Sequence, residues 1–472
     1  MQNRPTKKLG AAGMAAAILW LIAAVPALAQ ETEPAAINSG DTAWVLISSA
    51  LVMAMVVPGL AFFYGGLVSQ RNALSTLMHS FFILALVAVQ WVLWGYTLSF
   101  GSDIGGVIGG LDFLGFNGVG QEPNGSATVP HLAFAAFQGM FAAITAALIT
   151  GGFAERMRFP AFILFSLLWT TLIYDPLSHM VWGGGWLAGL GALDFAGGTV
   201  VHISSGVSAL VAAYVIGRRH GFPGSVSPPH NVPFTVLGAA LLWFGWFGFN
   251  AGSALAANGL ASHAFVVTHT ATGAATLAWV AIEWALRGKP TVLGAATGAV
   301  AGLVAITPAA GYVDVLSSLA IGVGGGLVGY WGVNWLKARL GADDALDVFG
   351  VHGLAGTWGA LATGIFANTA VNPAGADGLL FGNPSQFVAQ LISVAAAWAM
   401  AAAGTYVILK LVGAITPLRV TREEELAGLD QTQHGEKAYN LSTTVLGHAA
   451  SAIDIDAATA KAGNPADTSL SS

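Results

Sequence analysis

The chain has 472 residues, of which 55% are apolar and 8% charged, with a formal net charge of −6 and no cysteine. Soluble domains carry about 25% charged residues, so a soluble globular domain is excluded, as are a disulfide, a thiolate metal site and a thiol nucleophile. Apolar windows of about 20 residues recur, long enough to cross about 30 Å of hydrocarbon as helices; barrel strands would run to about ten residues and alternate.

In chain order, Lys7 and Lys8 precede the apolar run AAGMAAAILWLIAAV, then Ala27-Leu28-Ala29 and the polar QETEP. This predicts a cleaved secretory signal over residues 1–29 with Gln30 as the mature start, an uncleaved anchor helix being the alternative. Spans are then expected at about 43–68, 73–100, 131–152, 160–178, 198–217, 235–256, 262–286, 291–307, 312–336, 350–369 and 386–415. The fold class expected is an all-α polytopic membrane protein of eleven transmembrane helices.

Lysine and arginine between signal and tail fall at Arg71, at Arg156 and Arg158, at Arg218 and Arg219, at Arg287 and Lys289, and at Lys337 and Arg339, in every second connection. The intervening loops 101–130, 179–197, 257–261, 308–311 and 370–385 have none. Short cytoplasmic loops retain positive charge, which predicts the mature N-terminus outside and a cytoplasmic tail over 416–472. In that tail TREEELAGLDQTQHGEKAYN reads as ordered, and the Ala/Ser-rich end beyond about 448 as disordered. Glycines four apart, at Gly294, Gly298 and Gly302 and in the pairs Gly322/Gly326 and Gly325/Gly329, read as close packing of helices in lipid.

A faint repeat links two helices. Val201-His202 has Gly206 four residues after the histidine, and Val351-His352 has Gly356 at the same offset, each led by an aspartate, Asp194 and Asp347. Five helices separate the copies, so they would cross in opposite directions, giving two inverted-topology five-helix repeats plus a long eleventh helix, an architecture common in transporters. Ionisable groups inside the membrane are functional candidates. A lone His202 or His352 would read as a hydrogen-bonded structural residue, but a pair from opposite repeats, each with one donor and one acceptor, suits a narrow path for a polar solute or a proton. Metal binding lacks a third ligand at suitable spacing. Asp194 and Asp347 each read as a helix N-terminal cap, and Asp194 as a carboxylate near an entrance that also favours a cation. Trp182, Phe141 and Phe249 cluster on the same side, where rings over a small cation would contribute about 0.5–2 kcal/mol. There is no nucleotide loop, nucleophile elbow or zinc signature.

The strings WFGFNAGSA, DFAGGTVVHI, HMVWGGG and DVFGVHG, taken together, in the right chain order and on the right sides of the membrane, make the chain resemble the ammonium transporter family, the bacterial Amt type of the Amt/Mep/Rh superfamily. The likeness covers about residues 40–440. It implies a homotrimer in the bacterial cytoplasmic membrane, each subunit with its own pore and an internal pseudo-two-fold, and no cofactor or enzymatic activity. It further implies that Trp182, Phe141 and Ser253 recruit NH4+ beside Asp194, that Phe141 and Phe249 form a stacked gate, and that His202 and His352 line the lumen, with Gln138 one turn before Phe141 adding a polar contact. In the tail, Asp430 and HGEKAYN, with His434, Gly435, Glu436 and Tyr439, resemble the segment that docks a trimeric PII-type signalling protein. The main functional expectation is uptake of ammonium, with methylammonium as analogue. NH4+ would lose its proton near the gate and cross as NH3, a discrimination K+ cannot pass because it has no proton to lose. The alternatives are an ammonium sensor signalling through its tail and, more weakly, a conduit for another neutral gas, which would need no cation site.

Overall fold

The computed structural model describes residues 36–124 and 127–439. The predicted signal and the Ala/Ser-rich end lie outside the described residues. Helices carry the fold, and the only strands among the described residues form a short hairpin, β1 (Asp103–Ile104) against β2 (Ile108–Gly109). Among the described residues, nine helices are long and apolar enough to cross a membrane: α1 (Ser39–Leu67), α2 (Gln70–Phe100), α3 (His131–Gly152), α4 (Phe159–Gly189), α5 (Gly198–Ile216), α6 (Val232–Gly252), α7 (Gly259–Arg287), α9 (Val315–Leu340) and α11 (Pro384–Ile415). Between them lie the shorter α8 (Val292–Ile306) and α10, which starts as Phe349–Leu354 and continues as Ala355–Phe366. Nine of the eleven expected spans therefore meet the membrane criterion among the described residues.

Helix starts follow side-chain capping, where a polar side chain takes an otherwise orphaned backbone N–H. Asn231, Asn258, Thr291 and Asp314 accept from Phe234, Ala261, Gly294 and Ser317 N–H. This moves α6 and α7 three residues ahead of the expected starts at 235 and 262. The largest boundary difference is in α4, which continues beyond 178 to Gly189, with Asp175–Trp182 regular and a break at Gly183. His179, Met180 and Val181 are buried there, so burial extends a helix whose glycine-rich continuation reads as loop. Trp182 thus stands at a helix end, held more firmly than a loop residue.

The spaced glycines do seat close helix crossings. A Cβ on Gly322 would lie 2.2 Å from the Ala271 carbonyl of α7, and one on Gly325 2.5 Å from Ala305 of α8. Proline shapes two other helices. α1 breaks at Val57 (φ −139, ψ 116) just before Pro58, because a proline pushes the preceding residue out of helical geometry. In α4 a wide turn at Thr170–Tyr174 precedes Pro176, relieving the clash of the ring with the preceding turn.

The start of α2 and the connections after α3 and α5 are fastened to the tail helices α12 (Arg422–Ala427) and α13 (Leu429–His434), through Asn72 to Leu429, Arg158 to Glu424 and His220 to Glu425. Arg219 bonds Glu155 at 2.6 Å and Asp343 at 2.7 Å. The buried Arg156 donates to the carbonyls of Gly217, Gly152 and Asp343. Arg158 reaches Glu424, and Arg419 reaches Glu425. Burial pushes the carboxyls of Glu155 and Asp343 up, but the charge of Arg219 and its hydrogen bonds outweigh this and hold both below the ordinary range.

Candidate functional site

A cavity of about 290 Å³ opens between α3, the end of α4 and the end of α6, lined by Trp182, Phe141, Gln138 and Ser253 among others. Trp182 is locked by its indole N–H, which donates to the Asp194 carbonyl at 2.8 Å. Ser253 follows the last turn of α6, and its hydroxyl donates to the Phe249 carbonyl at 2.8 Å. Its hydrogen is therefore spent and its lone pairs face outward. Gln138 Oε1 is buried without a partner. The cavity thus presents the Ser253 oxygen as an acceptor and an aromatic wall, with the unpartnered Gln138 Oε1 buried at its edge, a combination suited to a small ligand that donates hydrogens and carries positive charge.

Beneath the cavity the aromatic rings form a column. Phe141 meets Trp182 edge-on at 6.0 Å and stacks on Phe249 at 4.3 Å and 29°. Phe249 stacks on His202 at 5.9 Å, and His202 meets His352 at 5.3 Å between ring centres. The two Nδ1 atoms are 3.2 Å apart. One of the pair must donate and the other accept, so the rings share a single hydrogen at this contact and each presents its Nε2 outward. His202 Nε2 has no hydrogen-bond partner, and both histidines are almost wholly buried.

The structure also shows why glycine stands four residues after each histidine. A Cβ on Gly206 would sit 2.1 Å from the Gly353 nitrogen, beside the His352 carbonyl carbon; one on Gly356 would sit 3.0 Å from His202 Cβ. Each half-helix lies against the other's histidine backbone, a reciprocal contact of the kind a two-fold produces. Both histidines lie in wide turns, at Gly198–Ile203 and Phe349–Leu354, geometry that recurs at functional sites.

Of the two aspartates expected to cap helices, Asp194 does so and Asp347 does not. Asp194 Oδ1 accepts from Gly197 and Gly198 N–H and Oδ2 from Thr199 and Val200 N–H, so its carboxylate is occupied by the N-terminus of α5. It does not line the cavity, and it reaches Trp182 only through its carbonyl. Gly197 adopts φ 109, a left-handed conformation that glycine takes without strain, and Gly198 passes tightly against Pro308. In the second half the cap is Asp344, whose Oδ2 accepts from Phe349 N–H at 2.7 Å, while Asp347 pairs with Lys337 at 2.6 Å. Asp347 is therefore not the counterpart of Asp194. The matching offset of eight residues before each histidine singles out Asp344, a spacing visible in the sequence.

Sequence reasoning also missed Trp246, three residues before Phe249, which stacks on His202 at 5.3 Å and 23° and donates to Thr307. Its signal was the aromatic spacing within WFGF.

Residues 43–439 match the family model described as Ammonium Transporter Family. The chain belongs to the ammonium transporter family. It is 55% identical to an ammonium transporter of Bacillus subtilis over 401 residues, covering 85% of this chain and 98% of that one. In structure it resembles Mep2 of Saccharomyces cerevisiae with a TM-score of 0.79 at 38% identity, covering 86% of this chain and 93% of that chain. It also resembles a protein titled Sensor Amt Protein, with a TM-score of 0.78 at 29% identity, covering 84% and 98%.

On the basic face, Asp430 is buried and accepts from Leu74 and Ser75 N–H at 3.0 and 2.7 Å. His434 packs edge-on against Phe159, and the Tyr439 hydroxyl meets His230 Nε2 at 3.1 Å. Gly435 ends α13 with φ 71, and Glu436 is exposed. Asp430, His434 and Tyr439 tie the tail to its own chain, leaving Gly435 and Glu436 presented outward.

Proposed function

We propose that this family member takes up ammonium. The observation that carries the reading is the continuous aromatic column from a cavity lined by Ser253 and Gln138 to a pair of histidines sharing one hydrogen. NH4+ is held against Trp182 and Phe141, donating to Ser253 Oγ and Gln138 Oε1. The charged ion cannot follow into the packed rings without losing its hydration. A neutral NH3 passes Phe141 and Phe249 and meets His202 and His352, whose Nε2 atoms supply one donor and one acceptor. Asp194 keeps the start of α5, and hence His202 and Trp182, in place. K+ has no proton to give up and is rejected.

In this reading α8 and α10 complete eleven crossings in two inverted halves, the cavity faces outward, and the arginine-rich face and tail are cytoplasmic. The subunits assemble as a homotrimer in the cytoplasmic membrane. A trimeric PII-type protein docks at Gly435 and Glu436, on a tail anchored by Asp430, His434 and Tyr439.

Methylammonium uptake in a transport-deficient host tests the proposal: wild type accumulates it, and His202→Ala/His352→Ala alters uptake or its selectivity against K+. Absence of uptake by a wild-type protein that reaches the membrane sinks the transport reading. The likeness to the sensor protein supports a second reading, an ammonium receptor, and that outcome would favour it. Current recorded from reconstituted protein after an ammonium jump decides whether charge moves with each NH3.

A further inference from the structure

Two buried glutamines one turn apart near the start of α11, Gln386 and Gln390, take no part in the aromatic column. Gln390 Oε1 accepts from Leu193 N–H at 2.7 Å, and Gln390 Nε2 donates to the Leu193 carbonyl at 2.8 Å and to the Ala360 carbonyl of α10 at 3.0 Å. Gln386 Nε2 donates to the Gly191 carbonyl at 3.0 Å and reaches Gln390 Oε1 at 3.4 Å. Both hydrogens of each amide are thereby used. Two carbonyls on one side and an N–H on the other allow only one orientation of the Gln390 amide. The side chain stands in for a peptide group, pairing with both backbone groups of Leu193 as a neighbouring strand would.

This pairing falls on a segment without regular structure of its own. Residues 190–197 join α4 to α5, with Gly191 at φ 85 and Gly197 at φ 109. The segment delivers three groups to the cavity and its walls: the Asp194 carbonyl that holds the Trp182 indole at 2.8 Å, the Asp194 carboxylate that caps α5, and the Phe195 ring that lines the cavity. After Asp194 the chain is tied by Phe195 N–H to the Pro308 carbonyl at 3.1 Å. Before it, the hydrogen bonds to a distant part of the chain, among the described residues, are those of Gln386 and Gln390. The peptide groups on either side of Leu193 are thus fixed, and Asp194, the next residue, inherits its place. Gly364 of α10 lets α11 come close, since a Cβ there would lie 2.9 Å from Gln390 Cγ.

We propose that Gln390 is a positioning residue for cation recruitment, setting the Trp182 ring at the cavity through the Leu193–Asp194 backbone. This rests on the reading of the cavity as the ammonium site. A cation is attracted to a ring when it lies within about 6 Å of the ring centre, so an indole that loses its anchor and tilts gives up part of that attraction. In the proposed architecture α11 stands outside both five-helix halves. Gln390 binds Leu193 of the first half and Ala360 of the second, so one side chain keeps the outer site in register with the half-helix that bears His352.

Concentration-dependent methylammonium uptake by full-length protein in liposomes tests this. Gln390→Met keeps the length and bulk of the side chain and removes its polar atoms. It should raise KM roughly fivefold, as fits losing part of a cation–π contact, with a maximal rate within about twofold of wild type. In the Trp182→Phe background, which has no indole N–H to place, the same substitution should leave KM where that background sets it. Gln386→Met, whose partner Gly191 lies three residues before Asp194, should stay near wild type. A merely structural role predicts the opposite split, a lower maximal rate with unchanged KM. Wild-type KM in Gln390→Met, or an equal rise in the Trp182→Phe background, overturns the proposal. Should Gln390→Met give no folded protein, Gln390→Glu, which keeps the oxygen that accepts from Leu193 N–H, takes its place with the same readings. If wild type takes up nothing, the transport reading fails, and the rise of melting temperature with methylammonium in detergent gives the affinities instead. A Gln390 variant that then matches wild type overturns the positioning role, and no rise in wild type overturns the cavity as an ammonium site together with the proposal.

Discussion

Ser253 shows how one hydrogen bond sets a residue's chemistry. Its proton goes to the Phe249 carbonyl, so in the cavity it acts only as an acceptor, complementary to an ammonium N–H. Ser253→Ala is expected to weaken apparent methylammonium affinity by about 1.5 kcal/mol, roughly tenfold, as fits a hydrogen bond to a charged group; concentration-dependent uptake measures it. Asp194 is a harsher case, because four backbone N–H groups converge on its two oxygens. An amide offers one acceptor oxygen, so Asp194→Asn leaves buried donors unmet at about 1–3 kcal/mol each. Its thermal unfolding in detergent should fall below that of wild type, and uptake should be lost. The motif residues were legible as candidates because aspartate, histidine and tryptophan are conspicuous in apolar helices. Their contacts were less so: the repeat was read from Asp347, which meets Lys337, although the eight-residue offset before each histidine picks out Asp344, which caps a helix.

At the scale of helices, the two half-helices bearing His202 and His352 meet through glycine, and the contacts differ in severity. A side chain on Gly206 would strike the Gly353 backbone at 2.1 Å, whereas one on Gly356 would press on His202 Cβ at 3.0 Å. Overpacking costs about 1–3 kcal/mol where neighbours yield and more where backbone is struck. Gly206→Ala should therefore give little monodisperse protein on size-exclusion chromatography. Gly356→Ala should fold and transport several-fold more slowly, because His202 is displaced. Equal behaviour of the two variants would contradict this crossing. The repeat of histidine and glycine was visible beforehand, but its meaning as a crossing point required both helices in place. The extension of α4 through Trp182 was hidden for a related reason, since HMVWGGG is glycine-rich and only burial against neighbouring segments keeps its first half helical.

For the whole molecule, the Glu155–Arg219–Asp343 network joins the connections after α3, α5 and α9. Because the folded carboxyls sit below their ordinary values, the unfolded chain binds more protons. The network's contribution is therefore complete above the ordinary carboxylate range of about 4 and is lost as pH falls through the lower folded values. Melting temperature in detergent should drop on acidification below about pH 4. Arg219→Met, which strands two buried carboxylates, should cost about 3–5 kcal/mol at neutral pH and flatten that acid slope. Composition and the spacing of apolar windows by themselves determined that this is a polytopic helical bundle, because backbone groups in lipid must be satisfied within helices. The alternation of arginine-bearing connections likewise anticipated which ones gather on one face. Only the tertiary structure decided that Asp347 meets Lys337, that Trp246 backs His202, that His202 meets His352 and that Asp175 lies buried against Gln90, because these contacts join side chains of different segments that the linear string leaves unpaired.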